Sequence, residues 1–410
     1  MRLIVITPHF TPDVAPTGEV VTRIVYELAA RGHEIEVLTS LPWYRGHSVE
    51  PGYGGRLIRY EDTPWGRITR VHPFPAQSKL DLVRRAASFL GFSTILAGVG
   101  LRGVHADGVL ALSPPLTLGM SGWAIAKRRG APFVFNIQDV YPDVAVELGM
   151  LQNSRIIAGA RRFERFCYAR ADAISVLSED LRDNVAAKTA RPDKVRVIPN
   201  FVDTSRIAPR ERENPYRREF GLENKTVVMY AGNVGLSQSL HLVLEAAGAL
   251  AYEPDLMFVI NGGGAKRTEL ERAAAGMTNV RFVDMQPVDR LPEVLAAGDI
   301  HLVPLKRGLA RSSVPSKTYS VLAAGRPIVA SVDNGSEVAR VLGRAGAGIA
   351  VPPEDAEAFT KAIRRLAESP DEARAMGTAG RAFVETWASP GAIAEAYERL
   401  FEELGANRIT

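Results

Sequence analysis

Val227-Val-Met-Tyr-Ala-Gly-Asn-Val-Gly235 opens the second half of a 410-residue chain. Val227 to Ala231 form a continuous apolar run, the signature of a strand buried on both faces of a parallel sheet. Gly232 and Gly235 follow, then Leu236-Ser-Gln-Ser239, and apolar residues at helical spacing from Gln238 to Leu250. A strand that turns through glycines into a helix aims backbone amides and the positive end of the helix at one point. That arrangement suits a phosphate.

The same strand-and-helix beat continues outward. Leu256–Ile260, Val280–Val283, Ile300–Val303, Pro327–Ala330 and Gly348–Val351 are further strands. The helices expected with them are Lys266–Ala275, Leu291–Ala297, Lys317–Ala324 and Ala356–Ala367. Upstream, Leu3–Ile6, Glu34–Leu38, Val109–Leu112, Phe133–Asn136, Ala173–Leu177 and Val195–Ile198 repeat the strand pattern, with helices Val20–Ala30, Leu116–Arg129 and Ile156–Arg170 among them. This order makes an α/β protein of two Rossmann-like domains. They are expected at 1–200 and 207–388, with a last amphipathic helix inside 391–410. Two such domains meeting at a cleft would bring strand ends and helix N-termini to its walls, where an anion binds.

Composition narrows the class. Hydrophobic residues at 46% and charged residues at 23% are globular values, not those of a disordered or fibrous chain. A single cysteine, Cys167, excludes a disulfide framework or multi-cysteine metal site and fits a reducing, cytoplasmic setting. The N-terminal apolar run is too short for a signal peptide. Residues 1–210 carry 27 Lys+Arg against 20 Asp+Glu, while the whole chain has a net charge of +4. A +7 excess spread this thinly, without aromatic interleaving, does not predict nucleic-acid binding.

Three further loops carry chemistry. After the first strand comes Thr7-Pro-His-Phe-Thr-Pro-Asp-Val-Ala-Pro-Thr-Gly-Glu-Val20. It lacks the G-x-G-x-x-G of a dinucleotide site but ends in Gly18 at a helix start. Asn261-Gly-Gly-Gly-Ala-Lys266 is a second glycine loop of the later half. Val303-Pro-Leu-Lys-Arg-Gly-Leu-Ala-Arg-Ser-Ser-Val-Pro-Ser-Lys317 gathers Lys306, Arg307, Arg311 and Lys317 ahead of a helix, a charge set suited to a diphosphate.

Together these motifs resemble glycosyltransferase family 4, of GT-B fold, in the bacterial branch that builds colanic-acid-type exopolysaccharides and O-antigens. Ile137-Gln-Asp-Val-Tyr-Pro-Asp143, Val197-Ile-Pro-Asn-Phe-Val-Asp203, Asp299-Ile-His-Leu-Val-Pro304 and Val314-Pro-Ser-Lys-Thr-Tyr319 carry the likeness alongside the glycine loops. It implies a nucleoside-diphosphate sugar, usually UDP-linked, in the C-terminal domain and a lipid-linked or glycan acceptor in the N-terminal one. It also implies transfer with retention, without metal or other cofactor, and the chain has no Asp-x-Asp pair. Around the donor it places Gly18, Gly232, Asn233, Gln238, Gly263, Lys306, Arg311, Ser312, Ser316, Lys317 and Ser320. Asp139 and Lys317 fall at the reacting centre. Ser113 falls on the acceptor side, as does His9 of the first glycine loop, for which a surface or packing role is the alternative.

The chain departs from the family pattern at several of these positions. Asn233 and Gln238 stand where many members carry Arg and Lys. Ser312 and Ser320 stand for two glutamates, and Ser113 for a histidine. Asp139 is the first-domain carboxylate able to accept the acceptor's proton or hold the donor sugar; the alternative is an N-cap or turn aspartate before Pro142. A nucleotide-sugar 2-epimerase and a non-catalytic nucleotide-sugar binder are the alternative functions on the same fold. Finally, Lys79 to Arg102 combines Lys79, Arg84, Arg85 and Arg102 with Leu82, Phe89, Leu90, Phe92, Ile95 and Leu96. It is expected either to lie on an anionic membrane surface or to pack as an ordinary helix.

Overall fold

The apolar runs become strands. The first sheet holds β1 (Arg2–Ile6), β2 (Glu34–Ser40), β3 (Ile58–Thr63), β4 (Gly66–Val71), β5 (Gly108–Ser113), β6 (Phe133–Ile137), β7 (Ala173–Val176) and β8 (Val195–Val197). Its order is β3-β4-β2-β1-β5-β6-β7-β8. The second holds β9 (Thr226–Ala231), β10 (Leu256–Asn261), β11 (Val280–Val283), β12 (Ile300–Pro304), β13 (Ile328–Ser331) and β14 (Gly348–Val351), ordered β11-β10-β9-β12-β13-β14. Every described pairing is parallel except β3 with β4. The computed structural model describes all residues except 14, 45–47, 76–81, 148, 150, 236, 309–316 and 410, with the backbone alone at 16, 82–86 and 407–409. The chain divides into one unit of Met1–Asn200 with Pro390–Thr410 and another of Phe201–Ser389.

Helices on both faces explain why central strands read as unbroken apolar runs. All residues of β5 and β6 are buried. Phe133, Phe135, Ile125 and Leu118 meet in the first core, and Val228, Tyr230, Phe258 and Phe359 in the second.

The β3–β4 hairpin was not legible in the sequence. β3 lies at the sheet edge, where Arg59, Glu61 and Asp62 interrupt its apolar residues and its burial alternates. Gly66, at φ +146°, begins β4 because the chains close in there; a Cβ would stand 2.0 Å from the Ile35 carbonyl oxygen. Helices Glu179–Ala186 and Glu337–Ala345 were also missed, although Ser178 and Ser336 cap them by accepting from Leu181 and Ala339 amides.

Of the two readings of Lys79–Arg102, the described residues show the packed helix. The stretch contains the helix Leu82–Gly100, whose Phe92, Leu96 and Val99 are buried in the first core. Ser93 Oγ lies 2.7 Å from Thr117 Oγ1, and Arg129 Nε donates to the Gly100 carbonyl at 2.9 Å. Phe92, Leu96 and Val99 therefore face the core. Leu90, 52% exposed, is an exception. Lys79, and the side chains of Leu82, Arg84 and Arg85, lie outside the described residues. Among the described residues, no helix is long and apolar enough to cross a membrane.

The last helix, Pro390–Ile409, belongs to the first unit. Phe401 packs where Gly108 leaves room; a Cβ on Gly108 would lie 2.5 Å from the Phe401 ring. Tyr397 Oη, fully enclosed, accepts from Asn136 Nδ2 at 2.9 Å and lies 3.2 Å from Ser175 Oγ. Glu398 takes Arg31 Nε at 2.7 Å and sits 3.0 Å from His33 Nε2.

Candidate active site

In the second unit, β9 and β10 end in two interlocked glycine loops. Gly232 N donates to the Asn261 carbonyl and Val234 N to the Gly263 carbonyl, each at 2.9 Å. Lys266 N returns to the Val234 carbonyl at 3.0 Å. Only glycine permits this approach. Gly262 (φ +155°) would set a Cβ 1.8 Å from the Gly232 oxygen, and Gly264 (φ +154°) one 2.3 Å from the Val234 oxygen. Gly263 differs, with open space around its Cβ position.

Lys317 starts the helix Lys317–Ala323 and points at this platform. Its Nζ donates to Tyr230 Oη at 3.0 Å and lies 4.1 Å from the Tyr230 ring centre. A Cβ at Gly232 would be 3.8 Å from Nζ. Tyr230 Oη in turn donates to the Asn233 carbonyl at 2.6 Å. No carboxylate reaches Lys317 among the described residues, and burial pushes its ammonium down to about 7. The sequence reading missed Tyr230, because an aromatic in a strand core carries no signal of its own.

Gln238 Oε1 accepts from Gly235 N at 3.1 Å. Ser239 N to the Pro304 carbonyl and Lys306 N to the Ser237 carbonyl, both 3.1 Å, tie this segment to the end of β12. A cavity of about 340 Å³ follows, whose lining includes Gly235, Gln238, Lys266, Lys306 and Glu354. Thus Gly232, Asn233, Gln238, Gly263, Lys306 and Lys317 gather at the carboxyl edge of the second sheet. Ser320 lies one helical turn beyond Lys317. Arg311, Ser312 and Ser316 lie outside the described residues.

Gly18, His9, Ser113 and Asp139 belong to the first unit. Gly18 sits in the first turn of the helix Pro16–Ala30, and a Cβ there would meet His9 Cβ at 2.9 Å. Its small size thus serves a contact within the chain. Ser113 ends β5 with its hydroxyl buried and without a hydrogen-bond partner among the described residues. Asp139 follows β6. Neither a hydrogen bond nor an ion pair reaches its half-buried carboxylate among the described residues, and desolvation raises its pKa. A helix-capping aspartate would show such a bond. Cys167 is buried, and burial pushes its thiol up to about 12, which fits packing rather than nucleophilic work.

Residues 17–200 match the glycosyl transferase 4-like domain and residues 225–369 the glycosyl transferases group 1 domain. A putative colanic acid biosynthesis glycosyl transferase, WcaI of Escherichia coli, is 30% identical over 89% of this chain and 92% of its own. Sucrose-phosphate synthase from Thermosynechococcus elongatus superposes with a TM-score of 0.71 at 19% identity, covering 99% of this chain and 100% of that one. Anabaena HepE, solved in complex with UDP, gives 0.68 at 13% identity, over 98% and 100%. The chain belongs to glycosyltransferase family 4, among the GT-B enzymes of bacterial polysaccharide synthesis.

Proposed function

We propose that the protein moves a hexosyl or N-acetylhexosaminyl group from a UDP-sugar to a hydroxyl of a lipid-linked or glycan acceptor, with retention and without a metal ion. The observation that carries the donor half is Lys317, whose ammonium lies beside Gly232 against an aromatic ring, with no anion to balance it among the described residues. A diphosphate supplies that anion. As the sugar leaves, negative charge grows on the diphosphate, and a fixed ammonium beside the Gly232 and Gly263 loops stabilises it without rearranging. Lys306, at the cavity wall, adds a second cation within the same unit. Asp139 is assigned to a hydroxyl of the transferring sugar. The UDP complex of HepE supports uridine as the base.

Thermal unfolding with UDP, GDP and ADP tests the donor. A ligand at a hundred times its Kd stabilises the native state by about 2.7 kcal/mol. UDP is expected to raise the melting temperature most. A rise with GDP or ADP and none with UDP would replace the uridine assignment.

A further inference from the structure

Ile137-Gln-Asp-Val-Tyr-Pro-Asp143 carries two aspartates four residues apart, and so far only the first has a task. Among the described residues the Asp139 carboxylate makes no hydrogen bond or ion pair, so its place is set by the chain on either side. Upstream, the buried Gln138 donates through its N–H to the Ser113 carbonyl at 3.0 Å and through Nε2 to Asn136 Oδ1 at 2.5 Å. Its Oε1 accepts from Asn200 Nδ2 at 3.1 Å. Downstream, Val140 is buried in the first core, and the chain enters the helix Asp143–Glu147. Val144 N donates to the Val140 carbonyl at 3.0 Å, so a displacement of this helix reaches the residue beside Asp139.

The helix has five residues, too few to persist on its own hydrogen bonds. Asp143, its first residue, is fastened from outside. Asp143 Oδ2 accepts from Lys188 Nζ at 2.6 Å and from Asn184 Nδ2 at 3.3 Å, and Arg161 Nη2 lies 3.6 Å from Oδ1. The same Lys188 ammonium donates to Glu164 Oε1 at 2.9 Å, which also accepts from Tyr168 Oη at 3.0 Å. The Glu164 side chain is buried and belongs to the 17-residue helix Ser154–Arg170. One ammonium thus ties a weak helix to a strong one.

Other buried cations of the chain are used differently. Arg217 donates to the Ala297 and Lys225 carbonyls, and Lys194 to those of Tyr168 and Ala171. Those contacts staple backbone to backbone. Lys188 Nζ donates to two carboxylates and, among the described residues, to no carbonyl. A buried ion pair is often no more stabilising than apolar side chains of the same volume, so scaffolding alone does not call for one here. What the charge does is fix a place. Without the ammonium, the Asp143 and Glu164 carboxylates repel each other, and the short helix gives way before the long one.

We propose that Lys188 is a positioning residue for Asp139. By clamping Asp143 to Glu164, its ammonium fixes the loop between β6 and the helix Asp143–Glu147, and with it the placement of the Asp139 carboxylate. The consequence for transfer rests on the assignment of Asp139 to the transferring sugar made above; the clamp itself does not.

Carbon NMR of the full chain, labelled at the aspartate carboxyl carbons, tests it without an acceptor. The Asp139 signal is assigned by its loss in Asp139→Asn. In the parent protein desolvation holds this carboxyl above the ordinary aspartate value. In Lys188→Met the loop is released into water, and the Asp139 titration midpoint is expected to shift down to that ordinary value. Lys188→Arg keeps the charge and should hold the midpoint above that of Lys188→Met. Where Lys188→Met does not fold, Asp143→Asn carries the test, with a downward shift expected again. A merely structural lysine would lower the melting temperature and leave the midpoint where it is. A parent-like midpoint in Lys188→Met or in Asp143→Asn, or equal midpoints in Lys188→Arg and Lys188→Met, overturns the proposal. The same spectra test the role of Asp139 separately. UDP-glucose, UDP-galactose and UDP-N-acetylglucosamine are added to the parent protein and compared with UDP. If Lys188→Met shifts the midpoint but none of these sugars moves the Asp139 signal beyond the effect of UDP, the clamp stands and the sugar contact falls.

Discussion

Lys317 sets two expectations at the scale of single residues. Its ammonium pKa is lowered to about 7, so the unfolded chain binds more protons than the folded one between that value and the usual lysine range. This group's contribution to stability therefore rises with pH through that window. A bound diphosphate favours the charged amine, so UDP binding at pH 8 should take up a proton. Calorimetry in two buffers of different ionisation enthalpy would read the uptake, and Lys317→Met should abolish it. Lys317→Ala should also lose about 10- to 150-fold in UDP affinity, the worth of a charge-assisted contact of roughly 1.5–3 kcal/mol. Asp139 runs the other way. Desolvation raises its pKa, so its charge costs stability as pH climbs past its raised value. Asp139→Asn should consequently melt no lower than the parent at neutral pH, while transfer falls by about 10- to 150-fold if the carboxylate holds a sugar hydroxyl. A matched loss of stability and turnover would return Asp139 to a structural role.

At the scale of elements, the two glycine loops behave as one part. Gly262→Ala would push a methyl into the Gly232 carbonyl at a φ that side chains avoid. It should lower the melting temperature and UDP affinity together. Gly263→Ala meets nothing within 4 Å, so the fold should survive. If the ligand lies against that backbone, UDP affinity alone should drop, and calorimetry beside thermal unfolding separates the two cases. The glycine run itself was visible in the sequence, but its division into two packing positions and one open position was not. That depends on backbone from a loop some thirty residues away, whose approach no local pattern records. The helix Leu82–Gly100 makes the same point. Its mix of basic and apolar residues fits lipid or core equally until Phe92 and Leu96 are seen inside.

For the molecule as a whole, the closing helix Pro390–Ile409 is decisive for the first unit. Tyr397 Oη joins Asn136 and Ser175 in an enclosed polar group, and Gln138 Nε2 continues it to Asn136. Tyr397→Phe leaves these groups short of a partner and should cost about 1–3 kcal/mol in denaturant unfolding. An unchanged midpoint would mean that the remaining members re-pair among themselves. Alternating strands and helices, the two glycine loops and the lysine ahead of a helix follow from the sequence alone. They are local, because side-chain periodicity and glycine placement act on the nearest turn of chain. The tertiary structure alone decided that Tyr230 holds Lys317, that Asp13 and Tyr44 hold His9, and that Glu398 meets Arg31 and His33. Except for Asp13, four residues from His9, each of those contacts joins residues distant in sequence, so only the completed packing of each unit brings them within reach.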